Sequence, residues 1–267
     1  MKKLLVIVLL VLSPAIMFAA KAASNAPELT LEQLGDKYFG RRNSITKPAE
    51  AIANINLAIG AYKNLFEADR TNPGMLYKYG KAFDFKYRFL TGTAEEKKSV
   101  YEGFIKDLEP LEAKLSGTKE YNYLMALFWG RRGEYTPNVL EAAKEGVADK
   151  IKKYGEALYA ADKTFEDYAA GMILGRLHYK SPNIILILTW PDKNKAKAYI
   201  EEVLAARPDN LEAKMFLADI IWDIGDREAA KKLYREVVNS KPKQTEYYYD
   251  SNAITDTAAR MKELEIQ

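Results

Sequence analysis

Two arginines side by side, Arg131 and Arg132, end a helical pattern in "ALFWGRRGEY" (126–135). A guanidinium is planar, always charged and forked, so arginines at the mouth of a groove suit the capture of a carboxylate. The same stretch also satisfies a packing role. Trp129 fills the large slot of a helix, Gly133 its turn, and the arginines complement the negative helix end. Upstream, residues 75–90 carry Tyr77, Tyr79, Phe83, Phe85, Tyr87 and Phe89. Their alternation is a strand's, yet Leu76, Tyr79, Phe83, Tyr87 and Leu90 share one helical stripe, and the neighbours read as helix. Such a helix has more aromatic surface than one core-facing stripe requires, and the surplus could line a concave ligand surface. Downstream, "SPNIILILTWPDK" (181–193) is an apolar run fenced by Pro182 and Pro191. We expect it to fold over the helices, with Ile185, Ile187 and Trp190 facing the same cavity as Tyr79, Phe83 and Tyr87. The ligand-groove candidates are therefore Tyr79, Phe83, Tyr87, Trp129, Arg131, Arg132, Ile185, Ile187 and Trp190.

Other chemistry finds little support. The chain has no cysteine, which excludes disulfides, thiolate metal sites and a cysteine nucleophile. One histidine, His178, excludes a His-rich metal site, and it reads as a packed helix-end residue. There is no nucleophile elbow, phosphate-binding glycine loop or zinc-protease motif. A carboxylate pair for glycoside chemistry stays open on residue types alone. The expectation is a non-catalytic protein with no cofactor.

The N-terminus reads as a targeting segment. Lys2 and Lys3 precede the uncharged run Leu4–Leu12, and Ala20-Lys21-Ala22 fits a cleavage site, so residues 1–22 resemble a secretory signal peptide. An uncleaved anchor is the rival. The absence of cysteine argues against a lipoprotein. Of 40 Lys+Arg and 37 Asp+Glu, three lysines and no acid lie in that segment. The remainder is balanced, with no sign of nucleic-acid binding. An exported, periplasmic location follows as an expectation.

The elements that would position these residues are helices in a repeat. Pro208 and Pro242 lie 34 residues apart, and between them Leu217, Ala218, Ile221, Gly225, Ala230, Tyr234 and Val237 occupy the slots of a tetratricopeptide (TPR) unit. Small residues at Gly80, Ala126, Gly175 and Ala218 recur at spacings of 46, 49 and 43, which suggests stretched helix pairs. Expected helices run over 48–69 and 75–90, from a Thr93/Glu96 capping box to Leu115, and from Thr136-Pro137 to about Ala160. A capping box at Asp209/Glu212 would start the helix through Ile221. Asp250 or Ser251 would open a final helix with stripe Ile254, Ala258, Met261 and Leu264. In the last unit Ile221 and Ala230 are nine apart, whereas the matching His178 and Ala196 are eighteen apart, so the apolar stretch is an insertion. The fold class is all-α: a TPR-like solenoid over residues 28–267, ended by a capping helix.

"ALFWGRRGEY", "GRLHYKSPN" (175–183) and "WPDKNKAKAYIEEVLAARPDN" (190–210), in that order before a last TPR unit, resemble the TPR-containing component associated with TRAP-type (tripartite ATP-independent periplasmic) transporters. The resemblance implies a periplasm-facing, all-helical, non-catalytic protein that associates with the transporter's extracytoplasmic solute-binding protein, encloses a groove beside its TPR helices, and allows homo-oligomers. A general cell-envelope scaffold and, last, a helical enzyme are the alternatives.

Overall fold

The computed structural model describes residues 29–43, 47–181 and 189–266. The expected signal peptide and the candidates Ile185 and Ile187 lie outside them. From Leu31 onward the chain forms one compact unit, Leu31–Gln267. Its described elements are helical: α1 (Leu31–Gly40), α2 (Pro48–Ala68), α3 (Pro73–Phe85), α4 (Ala94–Leu108), α5 (Lys119–Glu134), α6 (Val139–Lys144), α7 (Val147–Asp162), α8 (Phe165–Lys180), α9 (Lys193–Ala206), α10 (Leu211–Ile224), α11 (Arg227–Val238) and α12 (Tyr247–Glu263). Among the described residues no helix is long and apolar enough to cross a membrane.

Most starts have a chemical cause. The side chains of Asn72, Thr118, Asp192, Asn210 and Asp226 each accept a backbone N–H of the first turn that would otherwise lack a partner. Thr93 and Glu96 close the expected capping box. Gly225, at φ 107°, ends α10 in the left-handed conformation. Three expected boundaries move. Thr136 does not cap a helix, because its hydroxyl donates to the Arg132 carbonyl; Asn138 caps α6 instead, and Gly146 at φ 68° separates α6 from α7. Asp209 is engaged by Lys243, so Asn210 takes the cap of α10. The final helix starts at Tyr247, before Asp250, and buries Ala253 and Thr257 while Ala258 is exposed.

Packing follows the repeat. α5 lies against α7, α8 against α9 and α10 against α11, and each pair stacks on the next through α7–α8 and α9–α10. The first helices α3, α5, α8 and α10 also touch in series, so together they form the inner face. The small slots set these approaches. A Cβ on Gly80 would lie 2.5 Å from a Leu124 methyl, and one on Gly175 2.6 Å from an Ile200 methyl. Between α3 and α4 the space is filled by rings: Phe83 meets Phe104 at 4.5 Å, and Phe104 meets Phe128 at 4.8 Å.

The first and last repeats meet. The chain continues α3 as a π-helical turn, Lys86–Leu90, a local widening that re-aims the side chains after it. Phe85 and Phe89 from this turn region pack on Tyr248 and Tyr249 of α12, with Phe89 and Tyr249 at 4.7 Å. Asn43 donates to the Thr245 carbonyl, and Arg88 bonds Glu212 of α10 at 2.6 Å. These contacts border the inner face.

Candidate functional site

Along this face lies a partly open cavity of about 770 Å³, within the range of small-molecule sites. Its walls come from the inner helices. α3 and its π turn supply Lys81 and Arg88. α5 supplies Tyr123, Leu127, Arg131 and Glu134. α8 supplies Glu166, Asp167, Ile173, Arg176, Leu177 and Lys180. The loop into α10 and α10 itself supply Arg207, Glu212 and Phe216, and Arg42, Glu246, Tyr249 and Asp250 close the ring. An apolar slot runs between α5, α7 and α8, past Ala143, Val147 and Ile151.

Most of the charge is paired. Arg131 donates to Asp84 through Nε and to Glu134 through Nη1, both at 3.0 Å, and Asp84 also accepts the Tyr101 hydroxyl. Arg176 reaches the other Glu134 oxygen at 2.7 Å. Glu134 is open to the cavity yet ringed by protein. Burial works to raise its carboxyl, but Arg131, then Arg176 and Arg88, outweigh that and hold it at about 2. Arg207 pairs with Asp167, Asp209 and Glu246.

One corner is different. Lys81 contacts Glu166, which also feels Arg42, while Asp167 and Asp84 act on Lys81 without an ion pair to it. Burial and the neighbouring Arg42 push Lys81 down to about 8. Burial and Asp167 push Glu166 up to about 7, against the pull of Arg42. Contact between the two works the opposite way on each, and burial prevails. Arg42 keeps a buried Nε with no partner; its plane lies 4.0 Å over Phe39 and 5.3 Å from Phe85. Glu166 enters the corner on a left-handed turn in which Glu166, Asp167 and Tyr168 have φ of 49°, 55° and 67°. Such geometry costs roughly 1–2 kcal/mol per non-glycine residue, and sites of this kind are found where function holds them. Tyr123 and Tyr249 also line the cavity, and burial raises both phenols above their ordinary value. No group of three or more Asp, Glu or His among the described residues is arranged to hold a metal.

Of the sequence candidates, the structure brings Arg131 into the cavity. Arg132, beside it, turns to Glu102 and Glu145 and lies near the Trp129 ring at 5.5 Å. Trp129 packs between two core clusters, outside the cavity lining. Tyr79, Phe83 and Tyr87 face α4 and α5 in the core, against Tyr101, Phe104 and Phe128. Trp190 does not join them. Its indole donates to Asp149 at 3.2 Å and meets the buried His178 edge-on at 5.3 Å. His178 is the packed helix-end residue expected, accepting the Asp192 N–H through Nδ1. Arg42, which was not among the sequence candidates, lines the cavity. Lys81, Arg88, Glu134, Glu166, Arg176 and Tyr249 went unread as a site. The signal was present: on α5, Tyr123, Leu127, Arg131 and Glu134 recur at helical spacing, as do Ile173, Arg176 and Lys180 on α8, each a second stripe on its helix.

The fold is an all-helical, TPR-like solenoid of neighbouring helix pairs, a kind typical of non-catalytic scaffolds. A tetratricopeptide repeat family model matches residues 193–250, covering α9 to the first turn of α12. That match supports the TPR superfamily, whose repeats generally serve protein–protein contact. No curated protein matches the chain.

Proposed function

We propose that this protein is an exported, non-catalytic TPR adaptor that binds the extracytoplasmic solute-binding protein of a TRAP-type transporter and holds a hydrophobic or carboxylate ligand in its inner cavity. The observation that carries the ligand half is the cavity itself, whose lining combines apolar residues such as Ala143, Val147 and Ile151 with the cations Arg42, Lys81 and Arg131. The partner half rests on the resemblance of "ALFWGRRGEY" and its companions, with support from the TPR match at residues 193–250. The test uses a purified extracytoplasmic solute-binding protein of a TRAP-type transporter from the same organism. Purified separately, mixed and run on size-exclusion chromatography, the two are expected to co-elute. Separate elution at tens of micromolar would overturn the adaptor reading.

A further inference from the structure

We propose that the Arg42–Lys81 corner of the cavity is the head-group site for a monocarboxylate whose unbranched apolar chain lies in the slot between α5, α7 and α8. The inference deepens the ligand half of the proposed function and rests on it, but not on the transporter partner.

Charge sets the head group. In the corner two cations, Arg42 and Lys81, face one committed acid, Glu166, because the next acid, Asp167, is engaged by Arg207. One positive charge is in excess. Arg42 and Lys81 both line the cavity, and charged donors bind a carboxylate more strongly than neutral ones. Tyr123 and Tyr249 belong to the same lining. A dianion fits worse, since Glu134, Glu212 and Glu246 line the same space and repel a second negative charge. A cationic head meets the excess of like charge.

The slot sets the tail. Ala143, Val147, Ile151 and Leu177 offer no free donor or acceptor in their side chains, and their backbone groups are engaged within helices. A peptide laid there would leave its amides unpaired. A hydrocarbon chain has none to satisfy, and each buried methylene adds to binding. The ligand class is therefore a fatty-acid-like monocarboxylate, rather than a peptide C-terminus.

Titration calorimetry on the purified protein tests this with defined probes: dodecanoate, acetate, dodecyltrimethylammonium and the capped tripeptide acetyl-Leu-Leu-Leu. Dodecanoate is expected to bind about tenfold or more tightly than each of the others. Arg42→Gln and Lys81→Gln should each weaken dodecanoate about tenfold. Glu166→Gln should tighten it, because the competing carboxylate is gone; a merely structural role for Glu166 would not give a gain. Lys231→Gln, on the outer surface of α11, should change nothing. Circular dichroism melts establish that each variant is folded. Equal binding of the cationic amphiphile or the tripeptide overturns the proposal. So does unchanged dodecanoate affinity in folded Arg42→Gln and Lys81→Gln. Capture of the solute-binding protein is read separately and without ligand, so its failure leaves these outcomes intact.

Discussion

Glu134 shows how far three arginines outweigh burial. Its ordinary carboxyl value is 4.5, and Arg131, Arg176 and Arg88 hold it at about 2. The folded state therefore binds that proton less readily than the unfolded chain. The stability this contributes is complete above about 4.5 and is lost as pH falls toward 2. With allowance for water in the cavity, it amounts to about 1–2 kcal/mol. The unfolding free energy by which the natural protein exceeds Glu134→Gln should shrink across that window in urea titrations. A constant difference between pH 6 and pH 2.5 would refute the assignment. Arg131 was singled out in sequence as a cation at a helix end; the structure places it in the cavity lining, bonded to Asp84 and Glu134, and the helix runs on through Gly133 to Glu134, where a turn was expected. Its neighbour Arg132 carries the same chemistry at the same helix end. Only the 100° turn between them decides which faces the cavity, and sequence reading does not fix the phase of a helix to within one residue.

At the scale of the element, glycines on the inner helices report contact distances. Gly175 sits where Ile200 and the Ala196 carbonyl of α9 come within 2.6 Å and 3.3 Å of a would-be Cβ. Gly175→Leu should push α8 from α9 and cost about 1–3 kcal/mol, read as a lower midpoint in chemical denaturation. The change Gly130→Ala, where nothing lies within 4 Å, should be neutral or slightly stabilising through helix propensity. These glycine and alanine slots were visible as a recurring spacing, and so were α2, α3 and the TPR pair α10–α11. Starts were less legible. Thr136 and Asp209 are good caps by type, but each is already bonded, to the Arg132 carbonyl and to Lys243. A cap depends on what else competes for the side chain, and that is a tertiary fact.

At the scale of the whole unit Leu31–Gln267, the contact between Phe89 and Tyr249 joins the first repeat to the last. A double-mutant cycle on Phe89→Ala and Tyr249→Ala should give a coupling of about 0.5–1.5 kcal/mol; additivity would mean the seam is not closed in solution. Phe85 and Phe89 meet Tyr248 and Tyr249, and partners so distant along the chain cannot be read from local pattern. Open helical repeats contact only their neighbours, so they can begin to fold at any unit and grow outward. This seam has a different history. Asn43 and Thr245 are 202 residues apart, and bringing them together carries a loop-closure entropy that is repaid only once every intervening pair is in place. The seam should therefore form last and open first. Amide hydrogen exchange would then be fastest along residues 244–250 and 86–90, ahead of the interior pairs, and each opening there would loosen the cavity wall that Arg88 and Tyr249 supply.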